Sequence, residues 1–455
     1  MTSIQSLTDA QRKFFYSHQT KDLSFRIQSL QTLRQVIKKY EIEITEALHA
    51  DLHKSEFESY STEIGFILSE IGYTCKHLRS WASPMRVKTP LTHFGTSGWI
   101  HHDPYGVALI IAPWNYPFQL AIGPLIGAIA AGNCAIIKPS EMAPHTAAVV
   151  NKIVSEAFPP EFVAVVEGGR ETSQRLLAEP FDYIFFTGSA HVGKVVMEAA
   201  AKHLTPLTLE LGGKSPCIIH RDANLKVAAK RIAWGKFMNA GQTCIAPDYL
   251  LINAAIKEEF LSILINEIKG MYPDALTNSH FSHIINKNHF DRLTEMIDQE
   301  KVLTGGKSNE SSLAIEPTVL DQVTWQDKVM QEEIFGPILP VLTYEHLEDA
   351  IKMVQEHPKP LALYIFSESS QVQEQIMSQL SFGGGCINDT IYHITNPNLP
   401  FGGVGNSGTG SYHGQSSFKT FSHQKSVLKH TTLFDIPVRY HTTKNALQLV
   451  KKFFK

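Results

Sequence analysis

The chain has 455 residues, of which 43% are hydrophobic and 19% are charged, and its formal net charge is −3. That length predicts two or three domains, and the balance of 41 basic and 44 acidic residues gives no electrostatic basis for binding nucleic acid. Five scattered cysteines without a C-x-x-C pair exclude a disulfide scaffold or a zinc ribbon, and they favour a reducing, cytoplasmic setting.

Periodic apolar residues predict helices within residues 24–81. Leu30, Leu33 and Ile37 form one such stripe, at the spacing of a helix that faces a core. Residues 86–102 are rich in Pro, Gly, Thr and Ser, which favours an extended ribbon.

Residues 105–137 contain no charged side chain, and 33 residues are enough to cross a bilayer. Three prolines interrupt this stretch, however, so it is better interpreted as a buried strand at 107–112, a helix at 119–131 and a strand at 135–137. Strands that are apolar throughout are typical of a parallel sheet covered on both faces.

The alternation continues along the chain and indicates a doubly wound α/β fold with a second α/β block from 223 to about 407. Further strands are predicted at 162–166, 180–187, 207–211, 249–252, 361–366 and 425–430, and further helices at 193–203, 225–239 and 256–270. The basic, amphipathic end at 444–455 is expected either to be solvated or docked on a partner, or to touch a lipid surface without spanning it.

Cys244 ends the fragment Gly241-Gln242-Thr243-Cys244, a tight loop of the kind that lets backbone approach a substrate. A single cysteine is often only a small buried hydrophobe, but two other residues favour chemistry. Asn115 follows a predicted parallel strand, where open sheets bind ligands. Glu210 lies between leucines, and apolar surroundings raise a carboxyl pKa toward that of a general base.

Glycines at 188 and 193 flank a strand-to-helix turn, although their spacing is not that of the G-x-G-x-x-G fingerprint. Such a turn lets a phosphate reach a helix N-terminus. Lys138 and Glu141 follow another strand and suit ribose hydroxyls; the alternatives are an ion pair between them and a helix cap at Ser140.

Taken in order, these segments resemble those of aldehyde dehydrogenases over nearly the whole chain, and most closely the class 3 type that acts on fatty and aromatic aldehydes. The matching pieces are Pro113–Pro117, Ile137–Glu141, Phe186–Ser189, Leu209–Lys214, Gly241–Cys244, the Glu-Ile-Phe-Gly-Pro run at 333–337 and the Leu-Pro-Phe-Gly-Gly run at 399–403. The class 3 type is indicated by 232–249 and by 402–414.

The resemblance implies that Cys244 is the nucleophile, that Asn115 holds the oxyanion and that Glu210 activates water. It implies NAD as cofactor, with NADP also accepted, bound by Trp114, Lys138, Glu141, Gly188, Ser189, Gly193, Leu211, Glu333 and Phe335. An apolar substrate pocket would be lined by Tyr116, Trp234, Met238, Thr243 and Phe401, with core packing as the alternative for Trp234 and Met238. His413 is a weaker candidate near the site, and no metal is expected.

The family architecture implies an NAD(P)-binding domain (1–82 and 103–209), a catalytic domain (210–414), an oligomerisation ribbon (83–102 and 415–430) that makes a homodimer, and a C-terminal tail (431–455). The expected partner is a small-molecule aldehyde, with no nucleic acid and no transmembrane anchor. Other activities compatible with Cys244 are acyl transfer to coenzyme A, which the presence of Glu210 disfavours, a cysteine hydrolase, and a fold kept only for binding.

Overall fold

Parallel strands flanked by helices dominate the computed structural model, which describes residues 3–453. Its α-helices are Ile4–Tyr16, Leu23–Lys39, Glu41–Leu52, Glu56–Ser59, Gly65–Trp81, Gln119–Ala131, Pro144–Ala157, Arg170–Leu177, Ala190–Ala201, Leu225–Phe237, Lys257–Met271, Lys287–Thr294, Leu347–Gln355, Ser370–Gln379, Gln415–Thr420 and Ala446–Phe453. A π-helical turn, Tyr60–Ile64, lies between the fourth and fifth of these.

The first sheet has six strands, in the spatial order Gly408–Thr409, Leu207–Glu210, Tyr183–Thr187, Val107–Ile111, Cys134–Lys138 and Val163–Val165. The last five are parallel, and only the edge strand Gly408–Thr409 runs antiparallel. Every residue of Val107–Ile111 and Cys134–Lys138 is buried, because helices cover both faces of the sheet.

The second sheet has seven strands, in the order Val302–Thr304, Thr318–Leu320, Ile338–Tyr344, Tyr249–Asn253, Pro216–Ile219, Ala362–Phe366 and Gly384–Ile387. A two-stranded sheet joins Ser308–Asn309 to Ala314–Ile315. A three-stranded antiparallel sheet contains Met85–Val87, Thr96–Pro104 and Ser422–His430, the last of which is an edge strand.

The predicted fold class, two α/β blocks built on mostly parallel sheets, is confirmed. Helix Gln119–Ala131 has the predicted bounds. The strand before it ends one residue earlier than predicted, and the strand after it is one residue longer at each end. Helix Ala190–Ala201 begins three residues earlier than predicted, because Ser189 caps it. The helix Ile4–Tyr16 was not predicted.

The division into domains stays a prediction, with one qualification from the strands. Gly408–Thr409 lies in the range 210–414 predicted to be catalytic, yet it pairs with Leu207–Glu210 of the first sheet.

The C-terminal tail forms a helix, Ala446–Phe453, that leaves Leu447 and Leu449 exposed; its last two residues lie outside the described range. Contact of this tail with lipid stays a prediction. Within residues 3–453, none of the helices combines the length and the apolar content that a bilayer crossing requires.

Candidate active site

Four neighbouring strands of the first sheet end at one edge, and each is followed by a residue predicted to have a functional role. Asn115 follows Ile111, which is in register with Lys138 on one side and with Phe186 on the other. Thr187, just before Gly188, is in register with Glu210. The strand order reverses between Val107–Ile111 and Tyr183–Thr187, which is where open α/β sheets bind ligands.

Cys244 lies in the loop that joins helix Leu225–Phe237 to strand Tyr249–Asn253. This loop, residues 238–248, is called the nucleophile loop below. Its backbone turns through three successive left-handed residues, Asn239, Ala240 and Gly241, with φ of 53°, 50° and 72°. A Cβ atom on Gly241 would lie 2.2 Å from the carbonyl oxygen of Gly336. Only glycine fits such a contact at positive φ.

Three hydrogen bonds join the nucleophile loop to the segment Pro113–Pro117, called the Asn115 loop below, and one of them runs from the Asn239 side chain to the Asn115 carbonyl. The Asn115 side-chain amide donates to the carbonyl oxygen of Gln242 at 3.1 Å, two residues before Cys244. The hydroxyl groups of Tyr116 and Thr243 are 2.7 Å apart. Because a side-chain amide carries two N–H donors, Asn115 keeps a second donor beyond the one that faces Gln242.

Glu210 is buried, with 1% of its surface exposed, and neither carboxylate oxygen has a hydrogen-bond partner among the described residues. Burial alone raises the pKa of this carboxyl well above its usual range. An unpaired buried carboxyl is costly, and it is a typical feature of catalytic sites.

Cys244 is half-buried, and its thiol pKa is raised. The largest cause is burial, followed by the negative charges of Glu333 and Glu210, while the backbone amides of Cys244 and Ile245 act in the opposite direction. Both carboxylates therefore lie close enough to Cys244 to influence its charge.

Glu333 comes from the second sheet's side of the molecule and lies against the turn that follows Glu210. A Cβ atom on Gly212 would be 2.2 Å from a Glu333 carboxylate oxygen. Burial is the main cause that raises the pKa of Glu333 to about 8, and Asp248 adds to it.

Most of the residues predicted to bind the cofactor lie at or just beyond the strand ends on one edge of the first sheet, called the rim below, whereas Glu333 and Phe335 precede strand Ile338–Tyr344 of the second sheet. The Ser189 side chain accepts from the Val192 amide at the start of helix Ala190–Ala201, and a Cβ on Gly193 would be 2.7 Å from the Leu211 side chain. Glycines that allow close backbone approach at the N-terminus of a helix are typical of phosphate-binding sites.

Two side-chain pairs flank this rim. The Lys138 ammonium, almost fully buried, pairs with the half-exposed Glu141 carboxylate. Trp114 packs edge-on against Phe335 with ring centroids 5.3 Å apart. The chemistry of these residues fits a dinucleotide.

Comparison with known proteins identifies the fold and the family. Residues 2–427 match the family model described as "Aldehyde dehydrogenase family". A Staphylococcus aureus protein named 4,4'-diaponeurosporen-aldehyde dehydrogenase is 49% identical over 447 residues, covering 98% of this chain and 97% of that protein. A mouse protein named "Aldehyde dehydrogenase, dimeric NADP-preferring" is 46% identical, with coverage of 94% and 95%. A solved structure titled "Substrate bound state of Staphylococcus Aureus AldH" superposes with a TM-score of 0.97 at 48% identity, and each chain is covered completely.

The chain belongs to the aldehyde dehydrogenase family. It is a class 3-like member, and the resemblance inferred from the sequence motifs is confirmed. It is therefore an oxidoreductase that acts on aldehydes.

The predicted substrate-pocket residues of this aldehyde dehydrogenase lie in several elements. Trp234 is half-buried near the end of helix Leu225–Phe237, and Met238 is buried directly after that helix. Phe401 is buried and pairs by backbone with Tyr412. Tyr116 is buried too, and its hydroxyl is engaged by Thr243 rather than free.

His413 is buried and stacks on Tyr412, with ring centroids 4.0 Å apart. Burial, with a smaller contribution from His393, lowers its pKa to about 3, so the imidazole is neutral at ordinary pH.

Sequence reasoning missed a group of polar residues around the Asn115 loop, of which Lys54, Glu63 and Asn239 are buried and Glu58 is half-buried. A carboxylate directly before Ile64, at the start of the apolar stripe of Gly65–Trp81, was the available signal for Glu63. No local signal marks Lys54, because its partners lie elsewhere in the chain.

Proposed function

We propose that this chain oxidises medium- or long-chain or aromatic aldehydes to carboxylic acids, with NAD or NADP as hydride acceptor. The contact between the Asn115 side chain and the Gln242 carbonyl supports this proposal best. Because two residues of chain span at most about 7 Å, that contact keeps the amide close to Cys244.

In the first half of the proposed reaction, the Cys244 thiolate attacks the aldehyde carbon. A C–S bond forms, and the carbonyl π electrons move to oxygen. The free N–H of the Asn115 side chain and the Cys244 backbone N–H donate to this oxyanion. One such donor commonly lowers the activation barrier by about 3–4 kcal/mol. The product of this step is a thiohemiacetal.

In the second half, the oxyanion electrons re-form the carbonyl as the carbon loses a hydride, which leaves a thioester on Cys244. When the cofactor is bound, its nicotinamide ring would accept this hydride. Glu210 then takes a proton from a water molecule whose oxygen attacks the thioester, and the Cys244 thiolate leaves as the carboxylic acid forms. The raised pKa of Glu210 suits a base that works near neutral pH or above.

The cofactor assignment follows the rim described above. Lys138 and Glu141 would hold the adenosine ribose, and Gly188, Ser189 and Gly193 would line the pyrophosphate. Glu333 and Phe335 would hold the nicotinamide ribose and ring, and Trp114 and Leu211 complete the proposed cofactor site. The mouse relative is named NADP-preferring, whereas Glu141 favours NAD, so acceptance of both is expected.

An apolar substrate tail is part of the proposal, because the residues expected to line its pocket are mostly apolar or aromatic. They are Tyr116, Trp234, Met238, Thr243 and Phe401, of which Tyr116 and Thr243 are joined by their hydroxyl groups. The Staphylococcus aureus relative is named for 4,4'-diaponeurosporen-aldehyde, and the series of aldehydes described below identifies which chain lengths this chain oxidises fastest.

A homodimer in the cytoplasm is the proposed working form. The mouse relative is named dimeric, and the edge strand Ser422–His430 exposes Val427 and Leu428, at 40% and 53% of their surfaces. An exposed edge strand has unpaired backbone groups, which favour pairing with a strand of a second copy.

Incubation of the purified protein with aldehydes of increasing chain length, with NAD and with NADP, tests the proposed activity. Reduced cofactor should form with several aldehydes, and Cys244→Ala should abolish its formation without weakening cofactor binding. Cys75→Ala, at a half-buried cysteine in helix Gly65–Trp81, is the matched control and should retain activity. Turnover that requires coenzyme A would favour acyl transfer to coenzyme A instead. Turnover that proceeds without a nicotinamide cofactor would favour a cysteine hydrolase.

A further inference from the structure

A fully buried ion pair lies behind the Asn115 loop. The side chains of Lys54 and Glu63 are both 0% exposed, and the Lys54 ammonium contacts the Glu63 carboxylate. Lys54 follows helix Glu41–Leu52, whereas Glu63 belongs to the π-helical turn Tyr60–Ile64. Turns of this kind inside helical segments are frequently found at functional sites.

The remaining polar contacts of this pair go to the Asn115 loop and the residues that follow it. Lys54 Nζ donates to the backbone carbonyl of Asn115 at 3.1 Å and lies 4.0 Å from the centre of the Tyr116 ring. One Glu63 carboxylate oxygen accepts from the backbone amides of Phe118 and Gln119 at 2.9 and 3.1 Å. Helix Gln119–Ala131 has no side-chain cap of its own, so Glu63 satisfies amides at its start.

The backbone carbonyl of Asn115 also accepts a hydrogen bond from a residue of the nucleophile loop. The Asn239 side chain donates to the Asn115 carbonyl at 2.8 Å and to the Gln242 carbonyl at 3.2 Å. The Asn239 backbone amide donates to Glu58 at 2.8 Å. The Asn115 carbonyl therefore receives two donors, one of which is Lys54.

Stability alone is a weak reason for this arrangement. Taking two charges out of water costs several kcal/mol for each ion, and apolar replacements of similar volume are often as stable or more so. We propose that Lys54 and Glu63 are positioning residues that fix the Asn115 side chain as oxyanion donor. This inference rests on the proposed function, because it assigns a partner to a residue of that mechanism.

The first test replaces both charges at once with Lys54→Met and Glu63→Gln, so that no unpaired charge is left buried. The first-turnover rate of hydride transfer should fall about tenfold to a hundredfold, because small misplacements of catalytic groups have effects of that size. The dissociation constant for the cofactor should be unchanged. Lys152→Met with Glu43→Gln, an exposed ion pair on neighbouring helices, is the matched control and should retain the wild-type rate.

The second test repeats the double replacement in an Asn115→Ala background. If the pair acts through Asn115, the rate should change there by less than about twofold, whereas a general structural role would cost the same factor in both backgrounds. Equal factors, or a wild-type rate in the first test, would overturn the positioning role. Lys54→Arg, which keeps the charge but changes its geometry, serves in the same cycle if the double variant does not fold.

The two proposals fail in different ways. If Asn115→Ala alone leaves the first-turnover rate unchanged, Asn115 is not an oxyanion donor, and the positioning role is lost with it. If Asn115→Ala slows hydride transfer but the cycle is additive, only the role of Lys54 and Glu63 is wrong.

Discussion

Glu210 combines near-complete burial with two unpartnered oxygens, so its protonation is coupled to folding. The folded protein holds its proton at pH values where the unfolded chain, with a pKa near ~4.3, has lost it. Where the folded state binds more protons, stability falls as pH rises. The energetic cost of Glu210 is therefore absent below its ordinary pKa and grows as pH rises toward its raised value.

Glu210→Gln should remove this dependence, because glutamine does not titrate. We expect the free energy of unfolding of the variant, relative to that of the wild type, to be larger at pH 9 than at pH 5. The difference should grow by up to about 1.4 kcal/mol per pH unit between the ordinary pKa of a glutamate and the raised pKa of Glu210. Denaturant unfolding at both pH values measures it. The exposed Glu198→Gln serves as control. Parallel curves for Glu210→Gln and wild type would contradict the assignment of an unpaired carboxyl.

Glu141 offers a test of cofactor selection, because its half-exposed carboxylate is paired with Lys138 at the end of a strand. A carboxylate there should repel a 2′-phosphate and accept a hydrogen bond from a free 2′-hydroxyl. We expect Glu141→Gln to raise the ratio of kcat/KM for NADP to that for NAD by about tenfold, equivalent to about 1.4 kcal/mol. An unchanged ratio would remove Glu141 from the cofactor site.

The nucleophile loop depends on a backbone shape that few residues tolerate. Gly241 has a φ of 72°, and a Cβ atom at this position would clash with the Gly336 carbonyl. Gly241→Ala should cost at least about 1–2 kcal/mol from its conformation alone, and it should lower activity because Cys244 is displaced. Gly72→Ala, in the interior of helix Gly65–Trp81 with open space around it, should instead be neutral or stabilising by up to about 1 kcal/mol. Urea unfolding and aldehyde turnover of both variants check this; equal behaviour would contradict it.

Sequence patterns predicted the elements whose signals are local. Val107–Ile111 and Cys134–Lys138 are uniformly apolar runs beside glycine and proline, and both were predicted within a residue. Helix Ile4–Tyr16 was missed because its buried residues include Thr8 and Gln11, which do not mark an apolar stripe. Gln11 is buried because its side chain donates to the Ala135 carbonyl, a partner far away in the chain.

The residues of the candidate site also fall into two groups, those that a sequence motif indicates and those that no local pattern indicates. Asn115, Glu210 and Cys244 lie in short motifs that a family resemblance makes visible. Lys54 contacts the Asn115 loop, and Glu63 contacts Phe118 just after it, through hydrogen bonds that span 61 and 55 positions of sequence and form only after folding. Nothing in their immediate neighbours specifies that meeting.

At the scale of the whole molecule, the edge strand Ser422–His430 of the three-stranded sheet carries exposed apolar side chains. Ser422–His430 pairs with Thr96–Pro104 on one side only and leaves Leu428 exposed. Leu428→Glu should shift the proposed homodimer to monomer, because a charge is costly to bury in an interface. Light scattering during size-exclusion chromatography checks this, with the exposed Leu303→Glu in another sheet as control. A dimer that persists in Leu428→Glu would place the interface elsewhere.

Covalent chemistry on Cys244 is the central claim, and intact-mass analysis of Glu210→Gln tests it most directly. When this variant is mixed with an aldehyde and NAD, deacylation should be slow and a thioester should accumulate. The protein should gain the mass of the aldehyde less two hydrogens, on the peptide that contains Cys244, while one equivalent of reduced cofactor forms. Reduced cofactor that appears while Cys244 stays unmodified would contradict the mechanism.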